Sequence, residues 1–487
     1  MRDLKLVDEV KITKVNEVYI RVDCSSSVAM EISDNFTFTV PSAKFHPSYK
    51  AKFWDGKIRL YNVTTRLLYR GLLENLVEFL NSRNYISTID KSLYPQNELK
   101  SSEVVEFIKS LNSKFTPRDY QLKAFAHAIM NDRSLLLSPT ASGKSFIIYL
   151  IMRYYNVRTL IIVPTTSLVH QLSSDFAEYG FDSDRNIHRV TGGVDKSSDK
   201  PITITTWQSI YKLPKDYFGQ FNLVIGDEAH LFQAKSLSKI MEKTINTKYK
   251  FGFTGTLDGS LTNQMVLEGL FGPMHKVVTT SELIEKKHLA DFKIKCIVLE
   301  YTDEEKQNAK TFTYHDEIDF LVRNTRRNVF LSNLCSSLEG NTLVLFQFVE
   351  KHGRLLYQMM KDANNDRELM FVFGGTEAED REQVRRITEQ SKNAIIVASY
   401  GTFSTGINIR NLHNVVFSSP TKSRIRTLQS IGRGLRKSDT KTAATLYDIA
   451  DDLRWKSHVN FTLKHLMERV NIYNSEDFDY KMYNYKV

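Results

Sequence analysis

Residues 138–145 read Ser-Pro-Thr-Ala-Ser-Gly-Lys-Ser. The apolar run Ser134–Leu137 precedes them and a helix-period stretch, Phe146 to Tyr155, follows. Strand, tight loop and helix start in that order aim several backbone N–H groups and a helix dipole at one point, which suits a polyphosphate. Lys144 would set its charge against the β- and γ-phosphates, and the Ser145 hydroxyl would ligate Mg2+. Ser138 holds the first glycine position of the G-x-x-x-x-G-K-[ST] pattern, and Pro139, Thr140, Ala141, Ser142 and Gly143 complete the loop. Gly-Lys-Ser also occurs in ordinary turns, so a second feature has to carry the reading.

Asp227-Glu228-Ala229-His230 is that feature. It ends the apolar run Leu223–Gly226, which reads as a buried strand. Ligands of open parallel sheets bind outside the carboxyl ends of strands, so both carboxylates are expected at the phosphate site. Asp227 would hold Mg2+ through water, and Glu228 would polarise an attacking water. Adjacent acids after a strand are often only a solvated strand end; the phosphate loop upstream gives these a task.

The elements that position these groups alternate from about residue 115 onward. Short apolar strands at 134–137, 159–163, 202–205, 223–225 and 250–253 are separated by helical stretches, and the rhythm repeats at 342–346, 369–373, 394–398, 414–417 and 443–447. Such alternation implies two α/β domains with parallel sheets covered on both faces. The break falls near 279–292, and the charged stretch 302–327 reads as a helical surface insertion. The expected domains are 1–105, 106–282 and 283–487.

Composition bounds the class. The chain has 487 residues and a formal charge of +10, which favours a polyanionic partner. Cys24, Cys296 and Cys335 are scattered without C-x-x-C spacing, which argues for reduced thiols and against structural zinc. No apolar run approaches the roughly 20 residues that cross a bilayer, and Met1 to Lys14 does not resemble a signal peptide. A soluble intracellular protein without a membrane partner is the expectation.

Further motifs come in order: Pro117-Arg118-Asp119-Tyr120-Gln121, Ile162-Val163-Pro164-Thr165, Thr191-Gly192-Gly193, Thr205-Thr206-Trp207-Gln208 and Thr254-Gly255-Thr256. Leu345-Phe346-Gln347, Thr402–Gly406 and Gln429-Ser430-Ile431-Gly432-Arg433-Gly434-Leu435-Arg436 follow in the second half. This ordered set, over about residues 115–450, resembles helicases of the second superfamily. The resemblance implies two RecA-like doubly wound domains, after a small α+β N-terminal domain, that clamp ATP with Mg2+. It gives adenine recognition to Gln121, part of the nucleotide site to Gly406, and charge stabilisation at the transferring phosphoryl group to Arg433 and Arg436. His230, Thr254, Thr256 and Gln429 would couple nucleotide state to the nucleic-acid track. Pro164, Thr165, Gly193, Thr206, Phe346 and Thr402 match positions that touch one strand's backbone. Asn408 and Ala141 depart from residues common in relatives, Asp and Gly.

The first hundred residues hold no phosphate loop. They read as strands near 4–12, 18–22 and 36–40 and a helix over 72–81. Between 41 and 70 stand seven basic residues against Asp55 alone, interleaved with Phe45, His46, Tyr49, Phe53, Trp54 and Tyr61. Cations for phosphates and aromatic faces for bases make Lys50, Lys52, Trp54, Lys57 and Arg59 candidate nucleic-acid contacts. The bland alternative buries the aromatics in a core and leaves the lysines solvated. Residues 53–57 read as a turn joining two strands, and His46 lacks partners for a metal site.

With this module included, the chain resembles the recombination helicases of phages. That implies a 3′→5′ DNA helicase acting on single-stranded and branched DNA, including stalled forks and Holliday junctions, and on RNA–DNA hybrids. It also implies a monomer in a host-cell cytoplasm, with possible strand annealing. Three alternatives stay open. A DEAH-type RNA helicase shares the motor but usually carries large additions for which nothing after Arg469 leaves room. A restriction-enzyme motor would need a nuclease partner. A non-enzymatic annealing protein conflicts with the intact Lys144, Asp227, Glu228, Arg433 and Arg436. The Tyr-rich tail 471–487 carries no assignment.

Overall fold

The computed structural model describes residues 9–40, 43–139, 142–233, 235–255, 257, 260–363, 367–402, 409, 411–419, 423, 427, 431–432 and 443–487. Thr140, Ala141, Thr256, Gly406, Asn408, Gln429, Arg433 and Arg436 lie outside the described residues, as does the start of the strand expected from residue 4. The chain forms two compact units, 1–138 with 143–277, and 139–142 with 278–487.

The first unit begins with β1 (Glu9–Lys14), β2 (Tyr19–Asp23), β3 (Thr37–Thr39), β4 (Lys57–Arg59), β5 (Tyr61–Asn62), β6 (Leu67–Tyr69) and β7 (Ile86–Ile89). Five form a mixed sheet, β5-β6-β2-β1-β7, and β3 pairs with β4. Val10, Ile12, Ile20 and Val22 are buried on alternate positions, as a sheet with one covered face requires. The cover is the Ser26–Asn35 helix, absent from the sequence expectation, and the Leu73–Ser82 helix, which buries Leu73, Leu76 and Leu80 at helical spacing.

The same unit continues into a seven-stranded, wholly parallel sheet of β8 (Arg133–Leu137), β9 (Thr159–Val163), β10 (Ile187–Val190), β11 (Ile202–Thr206), β12 (Leu223–Asp227), β13 (Tyr249–Thr254) and β14 (Met274–Lys276). Its order is β10-β11-β9-β12-β13-β8-β14. β9 and β11 are buried at every residue, the signature of a sheet covered on both faces.

The N-terminal module is set into this sheet's helical cover. Leu72, Leu73 and Leu76 share one apolar core with Met265, Val266 and Leu270 of the Leu261–Phe271 helix. Gly71 makes the approach possible: a Cβ there would lie 2.0 Å from the Glu268 carbonyl oxygen and 2.6 Å from that of Gly269. The Tyr69 hydroxyl donates to Glu242 at 2.7 Å, and the Glu17 N–H donates to the Ile245 carbonyl at 2.9 Å. The Glu17 carboxylate pairs with Arg70 and with Arg133 at 3.2 Å. Lys250 is fully buried beside them, and burial, then Arg133, depresses its pKa. Gly71→Ala is therefore expected to destabilise the full chain by about 1–3 kcal/mol or more, because backbone must shift to admit the methyl. Denaturant unfolding checks it; unchanged stability would contradict the docking. Deleting residues 1–100 would strip cover from the Leu261–Phe271 helix, so deletion is a poor probe of the module's role.

The second unit holds β15 (Asp291–Glu300), β16 (Thr342–Phe346), β17 (Leu369–Val372), β18 (Ile395–Ser399), β19 (Asn414–Phe417), β20 (Ala443–Asp452) and β21 (Tyr480–Lys486). All pairs are parallel, in the order β17-β18-β16-β19-β20-β15-β21. The charged stretch after 302 is helical, with helices Asp303–Ala309 and Tyr314–Arg323, and the Tyr-rich tail forms edge strand β21. Fully buried ion pairs brace β20: Arg327 with Asp451 at 2.8 Å and Arg469 with Asp448 at 2.7 Å. The Tyr301 and Tyr473 hydroxyls donate to the same two carboxylates. Buried charges persist only when paired and hydrogen-bonded in this way. Two such parallel sheets define the doubly wound, RecA-like class expected for each half, behind an α+β N-terminal module.

Candidate functional site: a phosphate loop facing an acidic turn

β8, β13 and β12 are consecutive in the first parallel sheet, and their carboxyl ends carry the candidate residues. Registers pair Leu137 with Thr254 and Phe253 with Asp227. The Ser138 N–H donates to the Thr254 carbonyl at 2.8 Å, which fixes the start of the loop. The Ser142 hydroxyl donates to the Pro139 carbonyl at 2.7 Å. Gly143, at φ +80°, precedes the Lys144–Tyr155 helix; a Cβ there would also strike the Gln121 amide at 2.5 Å. Gln121 is buried, and its carbonyl accepts from the Arg118 N–H at 2.9 Å. The residue expected to read adenine thus lies against the phosphate loop.

Lys144 Nζ stands 3.4 Å from Glu228 Oε1. Glu228 adopts φ +51°, a left-handed conformation that costs a side-chain-bearing residue on the order of 1–3 kcal/mol and concentrates at functional sites. Its N–H donates to Asp227 Oδ1 at 3.0 Å. Burial and the adjacent Glu228 charge push the Asp227 carboxyl up to about 6, against the pull of Lys144. A buried carboxylate crowded by another acid is suited to a divalent cation, and its oxygens are of the hard kind that Mg2+ takes. His230 Nδ1 lies 3.4 Å from Glu228 Oε2 and 3.0 Å from Thr254 Oγ1. Glu228, His230 and Thr254 form one chain of contacts from the acidic turn to the neighbouring strand.

Two participants had no motif. The Tyr179 hydroxyl is 2.8 Å from the Ser145 hydroxyl, and Asp175 adds to the charge that raises Asp227. Both come from the region that ends the Thr166–Glu178 helix, and only tertiary folding brings them to the loop.

The expected strand contacts of the first unit share one sheet edge. Pro164 and Thr165 follow β9, Gly193 follows β10, and Thr206 ends β11; registers set Val190 beside Thr205 and Thr206 beside Val163. Thr165 caps the Thr166–Glu178 helix, and the Thr206 hydroxyl lies 3.0 Å from that of Ser209. Gly193, at φ +81°, is exposed with nothing near the place of a Cβ. In the second unit, Thr402 Oγ1 lies 2.8 Å from Ser399 Oγ at the end of β18. Phe346 is a correction. Its ring is fully buried, stacked on Phe371 at 5.4 Å over the space left by Gly353, so any strand contact there must come from main chain.

In the N-terminal module, Lys50, Lys52, Lys57 and Arg59 are exposed, Arg59 paired with Asp55 at 2.5 Å. Trp54 does not present its ring edge freely. The indole N–H donates to the Lys57 carbonyl at 2.8 Å, and His46 packs edge-on at 5.4 Å. Residues 53–57 lead from the short Pro47–Lys50 helix into β4, which pairs back to β3.

A phosphate loop, an acidic turn and a second parallel sheet of the same kind define a two-block nucleoside-triphosphate motor of the second helicase superfamily. Comparisons agree. Residues 114–259 match the model described as type III restriction enzyme, res subunit; 325–438 match the helicase conserved C-terminal domain; 9–90 match DNA helicase UvsW, N-terminal. The ATP-dependent DNA helicase UvsW of Enterobacteria phage T4 is 36% identical over 95% of this chain and 97% of its own. A DNA 3′-5′ translocase, XPB2 of Sulfurisphaera tokodaii, is 24% identical over 68% of this chain and 80% of its own. The crystal structure of T4 UvsW aligns with TM-score 0.53 at 35% identity, covering 98% of this chain and 99% of that one. The chain belongs to the UvsW family of ATP-dependent DNA helicases. No helix among the described residues is long and apolar enough to cross a membrane.

The His230–Thr254 contact leads to a separable phenotype. Thr254→Val keeps the buried volume and removes the hydroxyl that His230 meets. Base pairs unwound per ATP are expected to fall, while ATP hydrolysis changes much less. Parallel ATPase and unwinding assays test this; equal losses in both would place Thr254 in hydrolysis itself.

Proposed function

We propose that this helicase remodels branched DNA with 3′→5′ polarity, regressing forks and migrating Holliday junctions, and that it unwinds RNA–DNA hybrids in recombination, repair and replication control. The single observation that carries the reading is the N-terminal module. It matches the UvsW N-terminal model, is set into the first motor sheet's cover, and bears a basic, aromatic surface outside every motor motif. The proposed division is an accessory DNA-binding domain over 1–105, an ATP-binding domain over 106–282 and a second motor domain over 283–487. The protein is proposed to act as a monomer in the cytoplasm of an infected host cell.

At the ATP site Lys144 neutralises the β- and γ-phosphates, Glu228 takes the attacking water's proton, and Gln121 meets adenine. Ser145 and Asp227 would hold Mg2+, which when bound neutralises charge on the phosphates. Arg433 and Arg436 are proposed to stabilise the transferring phosphoryl group, and Pro164, Thr165, Gly193, Thr206 and Thr402 to hold one strand by its backbone.

Joint charge reversal at Lys50, Lys52 and Lys57 tests the module's part. All three are exposed, so folding should survive. Fork and four-way-junction binding should weaken more than single-strand binding. The slope of log affinity against log salt should flatten by roughly 0.9 per lost duplex phosphate contact. A folded triple variant that binds and regresses forks like wild type would refute the assignment.

A further inference from the structure

Phe53 is 89% exposed, more than any other large apolar side chain among the described residues. Single exposed hydrophobes are ordinary. Phe53 stands apart because of its setting. Phe45 is 69% and Tyr49 41% exposed within eight positions of it, and Lys44, Lys50, Lys52 and Lys57 are exposed around them. The sole carboxylate of the segment, Asp55, is already paired with Arg59.

The loop that carries the ring is built to hold it out. The Phe53 and Trp54 N–H groups both donate to the Ser48 carbonyl, at 2.9 and 3.2 Å. Lys52 sits at φ +59°, a conformation that a bulky residue keeps only when its surroundings enforce it. Gly56, at φ +78°, lets the chain pass under Ala43 and Tyr49, whose atoms stand 2.8 and 3.0 Å from where a Cβ would be. The Trp54 indole is tied to the Lys57 carbonyl, so the tryptophan braces the loop while its neighbour faces solvent.

We propose that Phe53 stacks on the exposed base face at a junction of single- and double-stranded DNA, and so marks the branch point for the motor. The inference rests on the proposed DNA-binding role of the module and deepens it. Lysines attract any phosphate backbone, paired or not, and carry no information about branching. A ring needs an open π-face. An intact duplex hides the faces of its internal base pairs within the stack, whereas the step from paired to unpaired strand at a fork leaves one open. A preformed loop loses little freedom on binding, so more of the stacking survives as affinity.

The test uses the full chain and a synthetic fork with 2-aminopurine at the first unpaired position, without ATP. Phe53→Ala should remove the fluorescence change that wild type causes there. It should weaken fork binding roughly 5- to 150-fold, the worth of one base–aromatic stack, and leave intact-duplex binding and the fork salt slope unchanged. Phe53→Trp should restore both signal and affinity. Wild-type signal and fork affinity in Phe53→Ala would overturn the inference, as would an equal loss on forks, single strands and duplex. The lysine triple variant separates the two readings. If it flattens the salt slope while Phe53→Ala is silent, only the stacking fails. If it changes nothing on forks, the proposed basic surface fails whatever Phe53 does.

Discussion

Lys144→Ala is expected to abolish ATP hydrolysis while DNA binding stays near wild type. Lys144 starts the Lys144–Tyr155 helix, and its ammonium stands 3.4 Å from Glu228. The residues proposed to contact the strand follow β9 and β10 and end β11, away from the phosphate loop. Removing one preorganised charge from a phosphoryl-transfer site costs about 10²–10³ in rate or more. The lysine also restrains the upward shift of Asp227, so its loss makes the proposed metal ligand harder to ionise. Steady-state turnover checks the expectation; a rate within about twofold of wild type would remove this loop from the mechanism.

Glu228→Gln should bind ATP yet hydrolyse it about 10²–10⁴-fold more slowly, because an amide cannot accept the proton of the attacking water. The substitution keeps the shape of a residue held at φ +51° and removes the negative charge next to Asp227. Nucleotide binding should therefore be as tight as wild type or tighter. A trapped, ATP-bound variant is the expected state. Normal turnover would move the general base elsewhere; weak binding with normal turnover at saturation would make Glu228 a ligand-holding residue.

Much of this was legible because the motor's strands are buried on both faces. β9, β16 and β19 are apolar runs bounded by polar turns, and their limits can be read from the sequence to the residue. β10 (Ile-His-Arg-Val) escapes notice because its middle is polar, whereas β15 carries the period-two pattern of a strand but starts inside the break expected at 279–292. The Ser26–Asn35 helix is mostly polar and begins with two serines after the cap residue Ser25, so it reads as loop.

The phosphate loop and acidic turn were legible for a different reason: their chemistry depends on residues adjacent in the chain. Long-range contributions were not. Tyr179 meets Ser145, and Arg327 meets Asp451, only after folding. Gly71 looks like any loop glycine until the Glu268 carbonyl is found where its side chain would be. Trp54 and Phe53 are neighbours of similar character, and composition favoured the tryptophan as the DNA-facing ring. The hydrogen bond that holds Trp54 inward is invisible in sequence. Phe346 matches a strand-contact motif, yet ends a strand buried at every position.

The most direct test of a DNA-driven ATP motor in this chain is ATP hydrolysis with and without DNA, read against Glu228→Gln under the same conditions. The expected result is Mg2+-dependent turnover that single-stranded and forked DNA stimulate strongly and that the glutamine variant lacks. Turnover indifferent to DNA, or unchanged in Glu228→Gln, would contradict it.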